Sequence, residues 1–223
     1  MHHQLRSSLI CIVNAVPLLG RTLKHSRELK FWRSRKEAEG DLGNAHYEYY
    51  YTTHFGIDRE FYRGKRILDI GCGPRGSLEW ADMAAERVGL DPLIPAYRKL
   101  GIDRHRMSYC AAPSEHIPYP DSYFDVVTSI NSLDHVDNVK RTIQEITRVT
   151  KPQGIFLVVV EVNHGARVCE PHHLSLDFTT EFVPAFSVTQ SALFGGDTSR
   201  SKTPYLGVGP GWLCALLKKE SEA

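Results

Sequence analysis

From residue 64 onward the chain alternates short apolar runs with amphipathic stretches in units of about thirty residues, a rhythm that few folds accommodate. A strand followed by a helix and a further strand packs as a parallel unit, so an α/β, doubly wound, mainly parallel sheet is expected. Arg66 to Ile70 reads as the first strand and runs directly into Gly71-Cys72-Gly73-Pro74-Arg75-Gly76. Ser77 to Arg87 has Leu78, Ala81 and Ala85 at helical spacing, and Val88 to Leu90 reads as a short buried strand ending at Asp91. A second helix is expected at Ile94 to Leu100, a third strand at Arg106 to Cys110, and a fourth at Phe124 to Ile130 after the turn Pro120-Asp121-Ser122. Val139, Ile143, Ile146 and Val149 mark one face of a helix that stops at Lys151-Pro152-Gln153-Gly154. Ile155 to Val162 is a continuous apolar run, the pattern of a strand buried on both faces. Phe186 to Phe194 and Gly211 to Lys218 read as an antiparallel pair closing the sheet edge.

Composition narrows the partners. The 223 residues suffice for a core without disulfides or metal staples, and 27 Lys+Arg against 26 Asp+Glu removes bulk basic charge as a route to nucleic acid. The five cysteines are odd in number and form no C-x-x-C, so reduced thiols in a cytoplasmic protein are expected. Leu9 to Gly20 is apolar but broken by Asn14 and Pro17 and too short to cross a bilayer. Residues 21 to 64 read as helices laid over the sheet. Their basic run from Arg21 to Lys36 is interrupted by Glu28 and reads as a solvated helix face.

The glycine turn carries the first chemical information. Glycines after a strand let the backbone turn sharply and let a ligand approach main-chain N–H groups. Asp91 stands twenty residues after Gly71 at the end of the second strand, where a carboxylate accepts both ribose hydroxyls. A nucleoside-containing ligand follows. Gly71-x-Gly73-x-x-Gly76 also satisfies the dinucleotide pattern. Asp69, two residues before the turn, sits awkwardly beside a pyrophosphate and suits a cationic ligand carrying an ammonium and a sulfonium.

At this point the sequence resembles the class I S-adenosylmethionine-dependent methyltransferases, in particular their type 11-like small-molecule group. The resemblance rests on Ile67-Leu68-Asp69-Ile70-Gly71-Cys72-Gly73, Gly89-Leu90-Asp91, Ser114 to Asp121, Phe124-Asp125-Val126-Val127, Leu133-Asp134-His135-Val136 and Lys151-Pro152-Gln153-Gly154, in the family's order across roughly residues 60 to 165. It implies a Rossmann-like seven-stranded sheet with an antiparallel last strand, in a domain at 61–223 covered by helices from 1–60. It implies S-adenosyl-L-methionine as cofactor, with Asp69, Gly71, Cys72 and Gly73 near its methionine part, Asp91 on its ribose, Ser114 and Glu115 beside the adenine and Asn131 on the sulfonium side. Two departures stand out: Pro74-Arg75 replaces smaller residues, and Pro113 stands where an aspartate is usual.

Methyl transfer requires a nucleophile held in line and, for a neutral acceptor, removal of a proton. His135, just beyond the fourth strand, is the candidate base; its bland reading is a cap or packing residue. Tyr47, Tyr50, Tyr51 and His54 share one face of a helix over Ala45 to Phe55, a core stripe from which Tyr51 or His54 reaches cofactor or acceptor. Glu161, His164, Cys169, Glu170, His172 and His173 follow the fifth strand and read as a substrate-pocket loop with His164 as substrate contact. Their spacing matches no established ligand signature, and no metal is expected. Asn131-Ser132-Leu133-Asp134 lacks the Asn/Asp-Pro-Pro-Tyr pattern of base and glutamine methyltransferases, which points to a small-molecule acceptor, with oxygen or carbon preferred. A nicotinamide-dependent oxidoreductase and a cofactor-binding module without turnover stand as alternatives.

Overall fold

The computed structural model describes residues 17–196 and 202–221. All but the last four residues of the apolar run Leu9 to Gly20 lie outside this range. After helix α1 (Pro17–Glu39) and the short helix α2 (Tyr47–Tyr51), the chain enters β1 (Arg66–Ile70) and β2 (Glu86–Leu90). Helix α3 (Ile94–Tyr97), β3 (Ser108–Cys110), β4 (Phe124–Ile130), α4 (Val139–Val149) and β5 (Thr150–Val162) follow, then β6 (Phe186–Gly195), β7 (Thr203–Pro204) and β8 (Gly211–Lys219). No helix among the described residues is long and apolar enough to cross a membrane.

One sheet runs in the order β3-β2-β1-β4-β5-β8-β6-β7. The first five strands pair in parallel, and β8 enters antiparallel between β5 and β6. Among the described residues the sheet therefore has eight strands rather than seven. The addition is the two-residue β7, which pairs only with Phe194 and Gly195 at the end of β6. In β5, Phe156 through Val160 are all fully buried, as the unbroken apolar run requires, and each such side chain contributes roughly 1.5–3 kcal/mol of burial. Helix α4 begins where the Asn138 side chain accepts from Arg141 N–H at 2.9 Å, and Ile143, Ile146 and Val149 turn inward. It ends at Val149 and passes straight into β5, so Lys151 to Gly154 lie inside an irregular strand start, with Gln153 at φ 62°.

One expected element does not form. Ser77 to Arg87 contains a series of turns and no helix. Leu78 and Ala81 are fully buried, as their spacing demanded, but through i→i+3 bonds from Glu79, Ala81 and Ala84 N–H. The competing term is strand pairing: Glu86 and Arg87 are taken by β2 opposite Arg66 and Ile67, and Ala85 N–H donates to Lys65 O at 2.9 Å. Within these turns Trp80 wedges its ring against Tyr51 and Tyr62.

Candidate active site

The strand order reverses between β1 and β4, and a cleft of about 880 Å³ opens at the carboxyl ends of β1, β2 and β4. That volume lies within the roughly 300–1,000 Å³ of ligand pockets. Its floor is the glycine turn. Gly71 and Gly73 adopt φ of 70° and 58°, and Gly71 N–H donates to Leu90 O at 2.8 Å, tying the end of β1 to the end of β2. Asp91 lines the same floor: its Oδ1 accepts from Leu93 N–H at 2.8 Å and its Oδ2 from Gly73 N–H at 3.3 Å. Burial pushes its carboxyl up to about 6 despite those two bonds. Cys72 also lines the floor, and burial holds its thiol well above the usual range, so it is an apolar wall rather than a nucleophile.

Ser114, Glu115, Asn131 and His135 line the cleft as well. Glu115 is already engaged, its Oε1 accepting from Asp137 N–H at 2.7 Å and Asn138 N–H at 2.8 Å, so it shapes the approach to α4. Ser114 Oγ lies 2.8 Å from Thr142 Oγ1. Asn131 holds φ 57° and donates its N–H to Val159 O at 2.6 Å, which turns the chain over the strand ends. His135 Nε2 stands 3.9 Å from Asp134 Oδ1 and 3.9 Å from Glu170 Oε1, facing two carboxylates from the cleft wall.

Four sequence candidates do not reach the cleft wall. Asp69 is buried and accepts from Ser77 Oγ at 2.5 Å, Thr128 Oγ1 at 2.7 Å and the Tyr51 hydroxyl at 2.9 Å. It is a hub joining β1, β4, α2 and the glycine loop, and burial raises its carboxyl to about 6. Tyr51 is consumed by that hub, while Tyr47 and Tyr50 of the same stripe line the cleft. Helix α2 ends at Tyr51, and the 3₁₀ turn after it swings His54 toward Cys214 Sγ, 2.8 Å away, where burial lowers its imidazole to about 4. His164 is buried behind the wall, with Nε2 3.7 Å from Asp134 Oδ2.

The expected helical cover forms a roof, and what sequence reasoning missed is that its basic face lines the cleft. Arg21, Lys24, Arg27 and Arg35 do not form a wholly solvated face; with Phe31 and Trp32 they line the cleft from α1. Lys24 Nζ donates to His135 O at 2.7 Å and contacts Asp137, which Arg21 Nε also reaches at 2.6 Å. At the other end Arg75 lies over the Trp32 ring, 5.5 Å from its centroid, and donates to Gly43 O at 2.9 Å and Glu39 Oε1 at 2.7 Å. The Pro74-Arg75 departure is thus a clamp on the roof. Arg75→Ala removes a cation–π contact and two hydrogen bonds at a largely buried side chain, a loss of about 2 kcal/mol. The melting temperature is expected to fall by about 5 °C, and ligand dissociation from the cleft to accelerate several-fold.

Comparison with known proteins agrees with this architecture. Residues 68–158 match the family described as methyltransferase domain. The uncharacterized methyltransferase YcgJ of Bacillus subtilis is 28% identical over 146 residues, 57% of this chain and 57% of that one. The sterol 4-C-methyltransferase strm-1 of Caenorhabditis elegans is 31% identical over 133 residues, 55% of this chain and 40% of that one. The chain thus spans about half the length of these relatives. Among solved structures, the Burkholderia thailandensis 1,6-didemethyltoxoflavin-N1-methyltransferase, with bound 1,6-didemethyltoxoflavin and S-adenosylhomocysteine, superposes with a TM-score of 0.61 at 15% identity over 92% of this chain and 91% of that one. In its matched segment, strand order and glycine turn, the chain is similar to the class I S-adenosylmethionine-dependent methyltransferases.

Proposed function

We propose that this chain transfers a methyl group from S-adenosyl-L-methionine to a small-molecule acceptor, with oxygen or carbon as the preferred acceptor atom. The observation that carries the reading is Asp91 at the cleft end of β2, beside a glycine turn that no helix follows. A pyrophosphate needs the N–H groups of a helix start, and residues 77–85 supply none, which weighs against a nicotinamide dinucleotide. A nucleoside without phosphates needs only the carboxylate. Asp91 spends two of its roughly four lone-pair directions on Gly73 and Leu93 and keeps the others for ribose hydroxyls. Gly71, Cys72 and Gly73 give a floor with little side-chain bulk for the methionine part, and Ser114 and Asn131 flank the remaining wall.

When bound, the cofactor supplies an electrophilic methyl on a sulfonium. The chain's part is positioning and proton removal. Asp69 holds the glycine loop through Ser77 and the cover through Tyr51, so it acts by shaping the floor. His135 on the cleft wall, near Asp134 and Glu170, is placed to take a proton from a hydroxyl or carbon acid. The names of the similar proteins include carbon methylation of a sterol and N1-methylation of 1,6-didemethyltoxoflavin, both small molecules. The cleft exceeds what a single nucleoside ligand fills, leaving room for an acceptor under Phe31 and Tyr50.

Calorimetric titration with S-adenosylhomocysteine is the test. Micromolar binding is expected, and no binding at millimolar ligand overturns the reading, as does quenching of NADH fluorescence on addition of protein. With an acceptor found by labelled-methyl capture from metabolite extracts, His135→Ala is expected to lower kcat by about 10²–10⁴-fold while leaving S-adenosylhomocysteine affinity within a few-fold. Unchanged turnover removes His135 from the mechanism. A protein that binds cofactor and methylates nothing is the binding module.

A further inference from the structure

We propose that Asp134, Glu161, His164 and Glu170 bind one divalent first-row transition ion at the wall of the cleft. The four side chains come from three segments: the turn after β4, the end of β5 and the loop beyond it. Each offers one ligand atom, and these atoms all lie within 4.8 Å of one another. Metal–ligand bonds of about 2.0–2.2 Å bring ligand atoms to at most about 4.4 Å apart, so the cluster needs only a small contraction.

Proximity of acids alone would be weak; the imidazole makes the case. His164 Nδ1 lies 3.0 Å from Gly165 O, and a carbonyl only accepts, so Nδ1 carries the proton and Nε2 presents a bare lone pair. That nitrogen faces Asp134 Oδ2 at 3.7 Å. Both side chains are 1% exposed, and His164 Nε2 and Asp134 Oδ1 have no hydrogen-bond partner among the described residues. A buried imidazole lone pair facing a buried carboxyl is costly unless a proton or a metal cation lies between them, and the two further carboxylates gathered around the pair favour the metal cation. A ligating histidine held through its other nitrogen by a carbonyl is the arrangement such a site requires.

Glu161 and Glu170 complete the set from the more open side. The Arg167 guanidinium bridges them at 2.8 Å and 2.5 Å, with its side chain about half exposed. It sits where positive charge is wanted and is free to swing out to water, which gives the ion an entry path. Three carboxylates with one imidazole suit Mn²⁺ or Zn²⁺ better than a soft ion. Glu170 also lines the cleft, so an open coordination position would face the acceptor beside His135. No established ligand spacing is present in the sequence, because Asp134 arrives from a different strand end than the other three.

The site does not depend on the methyltransferase reading, and its test separates the two. Chelator-treated protein is titrated with Mn²⁺, following loss of the free-ion paramagnetic resonance signal, while S-adenosylhomocysteine affinity is measured on the same samples. One Mn²⁺ per chain is expected. Asp134→Asn and Glu161→Gln should each weaken binding by at least about tenfold, and Arg167→Ala should tighten it several-fold by removing the competing charge. Glu161→Gln, at a partly exposed position, covers the case that Asp134→Asn fails to fold. Absence of saturable binding of both Mn²⁺ and Zn²⁺ in wild type and Arg167→Ala overturns the proposal, as does unchanged affinity in both acidic variants. Loss of S-adenosylhomocysteine binding alone would overturn the function proposed above and leave this site standing.

Discussion

Asp91→Asn is expected to weaken S-adenosylhomocysteine binding by about 10²-fold while making the unliganded protein more stable. A carboxylate that accepts two ribose hydroxyls in a buried floor contributes about 1.5–3 kcal/mol per charged hydrogen bond, and asparagine keeps only one acceptor oxygen. The stability gain comes from the same burial. The folded Asp91 carboxyl titrates at about 6, above its unfolded value, so folding favours the protonated acid. Its stabilising contribution is therefore full below the unfolded value and is lost as pH rises through 6; at pH 7 the ionised group costs roughly 3 kcal/mol. Asparagine is neutral throughout, retains the bond from Leu93 N–H, and gives up only the long contact with Gly73 N–H. The melting temperature at pH 7 should rise by a few degrees and the gain should vanish near pH 4. Ligand affinity has the opposite sign: it needs the ionised form and should fall as pH drops below 6 in wild type. Because the Asp69 hub also titrates at about 6, some pH dependence should survive in the variant. Equal affinity of wild type and Asp91→Asn would remove Asp91 from the cofactor floor.

The parts legible in the sequence are those where one term dominates. Phe124–Ile130 and Val139–Val149 coincide with the read segments because two buried faces in one case, and one apolar stripe with an Asn cap in the other, leave no competitor. The helix expected at Ser77 to Arg87 was illegible as absent, since Leu78 and Ala81 are buried either way and only the pairing of Glu86 with Arg66 decides. The glycine turn and Asp91 were legible because their spacing along the chain fixes their meeting in space. The inner face of the roof was not: Lys24 meets Asp137 and Trp32 meets Arg75 across distances that periodicity cannot report, so a cleft-lining face looked like a solvated one. The same holds for Asp134, whose neighbours Glu161, His164 and Glu170 were read as a loop of their own.

Gly71→Ala should destabilise the fold and abolish cofactor binding together, because one methyl group strikes two turns. At φ 70° an alanine is strained by roughly 1 kcal/mol whatever surrounds it. Here its Cβ would lie 2.3 Å from Ser132 Cβ and 2.6 Å from Ser132 Oγ. Ser132 cannot yield cheaply. Its hydroxyl donates to Ile70 O at 2.7 Å and lies 2.6 Å from Ser129 Oγ, and Asn131 before it is held at positive φ by its bond to Val159 O. Displacing the turn after β4 therefore loosens the ends of β1 and β5 and moves Asn131 and His135 along the wall. A total cost of about 3 kcal/mol is expected, a fall in melting temperature near 10 °C, with S-adenosylhomocysteine binding lost. Ser132→Gly removes the struck atoms and, alone, costs about 1–2 kcal/mol for its lost hydrogen bonds. If the clash is the cause, Gly71→Ala/Ser132→Gly should be less destabilised than the two single changes added, with the difference near 2 kcal/mol. Strict additivity would instead place the whole effect in the backbone of the glycine turn and relieve Ser132 of any part in holding the two strand ends together.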